Sequence, residues 1–407
     1  MNKTEIVIIG AGPSGTIAGA LLRKKGYQVK IFEKTQFPRF VIGESLLPNC
    51  MNVIEQAGML EAVNNAGFQL KNGAAFSCGS RTSAFDFSKK TSKGHGSTFQ
   101  VQRAEFDKLL ADTAQDMGVE IYYNHEITAF DYINNKPLLS YIDHHKQSHQ
   151  IEAKFVLDAS GYGRVLPRLF DLEIPSKLPQ RQAVFSHIED MIDDSNYDRN
   201  KILISIHPQN KAVWYWLIPF AKGRSSLGVV APPDYIESLA TTPLEQLQQA
   251  VKQNPPLNAL LNKANYDTKV QVIEGYSSNV KSLYGAGFAL LGNAGEFLDP
   301  VFSSGVTIAM ESAAIAAPLV DKVLQGKTVD WQTEYSDPLM KGVDTFRAFV
   351  NAWYDERLQD IILHPDPNDK VKALICSILA GYAWDKDNPY VQNSESRLNV
   401  LAELCRT

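Results

Sequence analysis

The sequence is short of several things that would assign it early. Its four cysteines, Cys50, Cys78, Cys376 and Cys405, are far apart, and none falls in a C-x-x-C pair. A zinc framework or disulfide scaffold therefore has no support, no metal site is expected, and reduced thiols in a cytoplasm are the plain reading. There is no long basic run, and the formal net charge is -5 at pH 7. Nucleic acid is not an expected partner for such a charge pattern. No ordered basic, apolar and small-residue leader opens the chain, so no targeting segment is expected. The most apolar stretch, GVTIAMESAAIAAPLV from Gly305, carries Glu311 and Pro318 and is shorter than a membrane span. There is no internal repeat and no low-complexity tract. What is there is a 407-residue chain, 44% hydrophobic and 21% charged: long enough for two or three lobes, and too apolar for disorder.

The first 34 residues carry the strongest signal: MNKTEIVIIGAGPSGTIAGALLRKKGYQVKIFEK. EIVIIG reads as a buried parallel strand. Gly10 permits a tight turn, Gly12 lets the backbone approach a pyrophosphate, and Gly15 allows close packing of helix on strand. Pro13 and Ser14 open the following helix, predicted from about Ser14 to Lys25. Its free N–H groups and dipole favour negative charge at that end. GYQVKIFEK is a second strand ending at Glu33, 23 positions after Gly10, a spacing suited to a carboxylate that bonds a ribose hydroxyl. Lys34 follows it. The next segment, TQFPRFVIGESLLPN, is punctuated by Pro and Gly and sets Arg39, Glu44 and Ser45 in a row of polar anchors, as a loop lying against a ligand would.

Further on, Met51 to Asn65 is helical in pattern, and GFQLKNGAAFSCG reads as a strand. QVQR, ending at Arg103, closes a strand, and AEFDKLLADTAQDM is an amphipathic helix. VEIYYNHEITAFDY, which includes Ile127, and LLSYIDHHKQSHQIEAKFVLDASG read as strands of a small sheet. Within the latter, KFVLDASGYGR brings Asp158 and Gly161 to a strand-then-turn that could touch a cofactor. His144 and His145 lie in its polar turn. Residues 175–285 are strand-rich and suit an antiparallel sheet; WYWLIP puts Trp214 and Trp216 on one face, Tyr215 and Leu217 on the other. FALLGNAG is a strand ending in a glycine turn, LDPVFSSG leads into a long helix from about Gly305, and the chain from residue 331 is mostly helical.

In this order, GAGPSG, RFVIGESLLP, VQRAEFD, DASG and GNAGEFLDPVFSSG, the chain resembles the FAD-dependent monooxygenase superfamily. Within it the sequence is most similar to the flavin-dependent halogenases, through WYWLIP and through GFQLKNGAAF, which puts Lys71 where those enzymes carry an active-site lysine. The resemblance implies an α/β fold: an FAD-binding Rossmann-like, three-layer β/β/α domain with an inserted antiparallel-sheet substrate domain and a helical C-terminal region. The implied division is 1–174 and 286–330 for the FAD domain, 175–285 for the substrate domain and 331–407 for the helical part. It implies FAD held by Gly10, Gly12, Pro13, Ser14, Gly15, Glu33 and Lys34. Arg39, Ser45, Arg103, Ile127, Asp158 and Gly161 would be further contacts. Gly292, Asn293, Pro300, Ser304, Gly305 and Val306 would lie by the ribityl chain and isoalloxazine. The second flavin motif of the superfamily reads Gly-Asp; here it is Gly292–Asn293, and an Asn still bonds a hydroxyl.

The same resemblance implies catalysis through a C4a-hydroperoxide, with halide as co-substrate and Lys71 as the catalytic group. Members acting on free tryptophan carry a Glu three residues before the turn glycine. Phe302 stands there, which is more like members acting on phenolic, pyrrolic or carrier-bound small molecules. The GAG at Gly285–Gly287 lacks a following helix, so a separate flavin reductase is the expected electron source. The competing readings are an FAD-dependent reductase of isoprenoid or other lipid-like double bonds and a flavin-binding protein without turnover.

Overall fold

The structure is a computed structural model that describes residues 2–195, 197–275 and 277–406. Its centre is the first apolar run. Ile6–Ile9 is wholly buried and pairs in parallel with Phe155–Asp158 on one side and Val29–Glu33 on the other. The six-stranded sheet continues to Phe288–Leu290 and Tyr284–Gly285 at one edge and Glu120–Tyr123 at the other. Helices cover both sides of a parallel strand in most folds, which is why such strands are apolar without alternation. Here the helices Pro13–Lys24, Arg103–Asp116 and Ser304–Leu324 cover one face. A four-stranded sheet covers the other, made of Asn2–Lys3, Ser148–Glu152, Lys136–Ile142 and Glu126–Ile133. Ring contacts join these two sheets, Phe32 with Tyr141 at 4.7 Å and Phe130 with Phe288 at 5.8 Å. The result is the expected β/β/α layering.

A seven-stranded sheet forms the second body. Its order is Gln271–Glu274, Gln182–Glu189, Arg224–Ala231, Trp214–Pro219, Lys201–Ile206, Gly73–Cys78 and Arg81–Asp86. All neighbours are antiparallel except Lys201–Ile206 with Gly73–Cys78. Period-two alternation assigns its faces. Tyr215, Leu217, Val184 and Ile188 pack under the helices Pro233–Leu239, Pro243–Lys252 and Pro255–Leu260. Trp214, Trp216, Ile202 and Ile204 join the main core instead.

Three expectations are corrected. Glu120–Tyr123 and Phe155–Asp158 belong to the large parallel sheet, not the small one. GFQLKNGAAFSCG is two strands in different sheets: Gln69–Lys71 pairs with Thr98–Gln100, and after Asn72 Gly73–Cys78 enters the seven-stranded sheet. The helical stretch before it splits at Gly58, whose φ of +83° ends Pro48–Ala57 before Leu60–Asn65 begins. Beyond residue 331, Asp337–Tyr354, Arg357–Ile362, Asp369–Leu379, Pro389–Gln392 and Ser394–Arg406 are helices. Among the described residues no helix is long and apolar enough to cross a membrane.

Candidate functional site

At the carboxyl ends of the parallel strands, where open α/β sheets bind ligands, lies a cavity of about 570 Å³. The far wall is the inner face of the seven-stranded sheet, with Ile202, Ile204, Trp214, Trp216 and Ile218. The indoles stay buried because each N–H has a partner. Trp216 Nε1 donates to Ser226 Oγ at 3.0 Å. Trp214 Nε1 donates to the Tyr354 hydroxyl at 3.3 Å, and that hydroxyl donates to Asp299 Oδ2 at 2.8 Å.

The glycines of the first turn divide by role. Gly10 has a φ of +97°, and a Cβ on it would meet the Ala159 carbonyl oxygen at 2.6 Å. A Cβ on Gly15 would lie 2.0 Å from the Gly10 oxygen. Both are demanded by packing, and Gly15 does not line the cavity. At Gly12 the nearest obstacle is Arg39 Nη2, at 3.6 Å. There the missing side chain leaves open space against the backbone, beside Pro13 and Ser14 at the helix N-terminus.

Glu33 lines the cavity, and its carboxylate is already engaged. Oε2 accepts the Ala11 N–H at 3.0 Å, and Oε1 accepts the Thr35 N–H at 2.9 Å and the Thr35 hydroxyl at 2.6 Å. It ties the second strand to the first turn. Lys34, Arg39, Ser45, Arg103, Ile127 and Gly161 also line the cavity. The Arg103 guanidinium is held by Asp107, at 2.7 and 3.0 Å, and donates to the Ile42 carbonyl at 2.7 Å. On the opposite side Asn293, Pro300, Gly305 and Val306 line it, with Ser303 at a φ of +56° where the helix Ser304–Leu324 begins.

Besides Gly15, four of the residues singled out in the sequence do not line the cavity. Asp158 is fully buried and accepts the N–H groups of Ser160 at 2.9 Å and Leu166 at 2.7 Å. It shapes the turn after its strand, and burial pushes its carboxyl pKa up. Gly292, at a φ of +52°, lets the chain pass Ala309, which a Cβ would meet at 2.8 Å. Ser304 is buried within the helix start. Lys71 lies outside the large cavity altogether.

Lys71 is 1% exposed. Its Nζ donates to the Leu46 carbonyl at 2.8 Å and sits 5.5 Å from the centre of the Phe87 ring. Burial lowers its pKa to about 7. It lines a small void of about 20 Å³, with Phe87, Phe302, Leu379 and others. That void shares Ile202, Ile204 and Ser303 with the large cavity. Lys71 is thus a core residue.

Buried Ser45 Oγ and Asn293 Oδ1 at the large cavity have no hydrogen-bond partner among the described residues, and buried Arg39 Nη1 has only a long ion pair with Asp107 Oδ2 at 3.4 Å. An unpaired buried polar atom costs about 1–3 kcal/mol. Spaced around one cavity, with an open glycine at one end and two helix N-termini facing in, they fit a long anionic ligand with many hydroxyls, as FAD is. Sequence reading did not single out Thr35 or Tyr162 as site residues, and it placed Glu44 in the polar row of the loop without giving it a role.

Comparison with known proteins agrees with this geometry. An FAD binding domain family matches residues 3–334. Over 332 residues the chain is 31% identical to a tryptophan 2-halogenase of Chondromyces crocatus. That match covers 80% of this chain and 62% of the relative, so this chain spans less than two thirds of its length. The chain is 30% identical over 337 residues to a 1H-pyrrole-2-carbonyl-(peptidyl-carrier protein) brominase of Pseudoalteromonas luteoviolacea, covering 81% of this chain and 80% of that one. Among solved structures, a flavoprotein/dehydrogenase from Cytophaga hutchinsonii superposes with a TM-score of 0.96 at 41% identity, over 100% of this chain and 99% of that one.

Proposed function

We infer, for a chain that belongs to the FAD-binding domain family and to its flavin-dependent-halogenase-like branch, an FAD-dependent oxidoreductase of the halogenase and monooxygenase type. FAD would be held by the open backbone at Gly12, by Pro13 and Ser14 at the helix N-terminus, and by the polar groups of Arg39, Ser45 and Asn293. When bound and reduced, it supplies the electrons that activate oxygen. The N-terminus of Ser304–Leu324 favours negative charge next to it. The tryptophan wall and the isoleucines exclude water on the other side.

The observation that carries the reading is the buried Lys71, in a void sized for one small ion or molecule and bordering the large cavity. A ring substrate does not fit there, whereas a small electrophilic halogen species does. With its pKa near 7, Nζ both donates a hydrogen bond and exchanges a proton at neutral pH. The substrate we propose is a phenolic, pyrrolic or carrier-bound small molecule. Phe302 at the turn and the similarity to a pyrrole-carrier brominase support that choice. We propose a separate flavin reductase as electron donor and a cytoplasmic location; four free cysteines suit a reducing compartment.

The test is product formation by FAD-loaded protein with a separate flavin reductase, oxygen and bromide, using simple phenols and pyrrole-2-carboxamides. A brominated product by mass is expected from the wild type. Lys71→Ala should abolish it and keep the flavin. An FAD-loaded protein that yields no halogenated product under these conditions counts against the reading. The 41% identity to a flavoprotein/dehydrogenase favours a second reading, an FAD-dependent enzyme of dehydrogenase or reductase type, for which lipid-like double bonds are the substrate to try. Flavin oxidation by an alkene under strict anaerobiosis would support that one.

A further inference from the structure

Another buried titratable group lines the large cavity, and nothing above uses it. Glu44 is 3% exposed, and its Oε1 lies 2.5 Å from His187 Nε2. That separation is shorter than the roughly 2.7–2.9 Å of ordinary charge-assisted N–H···O bonds, so the two groups are closely engaged. We propose that Glu44 and His187 hold one proton between them on the wall of the cofactor cavity, available to an oxygen or nitrogen bound there. The proposal rests on the cavity being the FAD site and not on halogenation.

Four observations support it. Glu44 lines the cavity with one carboxylate oxygen latched to His187, and among the described residues the other accepts no hydrogen bond. The neighbouring charges are already matched. Arg103 is bound by Asp107 at 2.7 and 3.0 Å, and Asp267, the charge that His187 feels, is bound by Arg224 at 2.8 and 3.0 Å. With one proton between them, the carboxyl and the imidazole carry no net charge.

The histidine of the pair is also within reach of solvent. The rings of Phe40 and Phe220 lie 5.3 and 5.1 Å from the His187 ring, yet its side chain stays partly exposed, which gives a solvent proton a way to the pair. Finally, the loop does not need the pair as an anchor. Its backbone is fastened independently, by the Val101 N–H donating to the Glu44 carbonyl at 2.7 Å and the Leu46 N–H donating to the Phe99 carbonyl at 3.2 Å. In the step proposed, the shared proton passes from the pair to the bound acceptor. A Glu44 carboxylate and a neutral His187 remain, and a solvent proton reloads them. Glu44 is the group that touches the ligand; His187 is a positioning residue acting through it.

The experiment is proton NMR of the full-length protein, without and with FAD, alongside stopped-flow reoxidation of the dithionite-reduced, FAD-loaded protein by oxygen. A far-downfield exchangeable resonance is expected in the wild type, lost in both Glu44→Gln and His187→Gln. Adding FAD should shift it. Reoxidation should slow about tenfold or more in either variant, with the wild-type pH dependence flattened. Absence of the resonance in the wild type overturns the proposal. So does a yellow, FAD-loaded protein whose resonance FAD leaves unmoved, because the pair would then be a tether alone. Protein that stays colourless with added FAD overturns the cofactor reading and this proposal together; a resonance still present in that protein shows that the pairing was right and its ligand wrong.

Discussion

Lys71 Nζ lies 2.8 Å from the Leu46 carbonyl oxygen, and among the described residues no carboxylate forms an ion pair with it. A neutral acceptor and an aromatic face are what this ammonium has in place of water. The fold therefore holds a lysine whose charged form is disfavoured, next to the cavity where chemistry is proposed.

That disfavour should be visible as stability. Burial lowers the Lys71 pKa from 10.5 to about 7. Between those values the unfolded chain binds a proton on this lysine that the folded chain has released, so stability rises with pH across the window. The full effect is at most about 5 kcal/mol, at 1.36 kcal/mol per unit. Lys71→Met should thus be more stable than the wild type near pH 7, with the gain fading as pH approaches about 10. Urea unfolding of both proteins across this range checks it, and a gain independent of pH would mean that Lys71 keeps its ordinary proton affinity.

Gly12 and Gly15 should fail in different ways. Gly12→Val meets only the end of Arg39 at first contact, so the protein should fold with a nearly unchanged Tm and contain no FAD. Gly15→Ala puts a methyl 2.0 Å from a backbone oxygen and should cost several kcal/mol, seen as lost soluble yield or a much lower Tm. Thermal melts and flavin absorbance of the two purified variants separate these outcomes.

Asn293 carries a buried oxygen with no partner in the protein alone. Asn293→Ala should leave the FAD-free protein as stable as the wild type or slightly more so, since an unpaired group is removed. FAD affinity should fall about tenfold, the worth of roughly one hydrogen bond. Asn293→Asp should bind FAD at least as tightly as the wild type. Fluorescence titration with FAD reads all three; equal affinity in Asn293→Ala would take Asn293 out of the site.

Much of the cofactor half was legible in the chain. Gly10 to Gly15 and Glu33 are local features, a strand, a turn and a helix whose geometry follows from a few neighbouring residues. The alternation of Trp214, Tyr215, Trp216 and Leu217 between two faces was readable for the same reason, since a strand has a period of two. Asp158 was not. Its place at the end of a central strand suggested a cofactor contact, and only the path of the chain beyond it shows that two backbone amides take its carboxylate. The split of GFQLKNGAAFSCG between two sheets was equally hidden, because strand propensity does not say which partner a strand will choose.

The sequence by itself determined the phosphate turn, the strands and helices around it and the kind of ligand they suit, because each depends on contacts within a few positions. Tertiary structure alone decided that Lys71 is buried with its proton loosened, that Glu44 meets His187 across 143 positions, and that Ser45 and Asn293 come to the wall of one cavity with buried atoms left unpaired. Burial and long-range pairing depend on how separate sheets pack, and no local pattern of side chains encodes that distance.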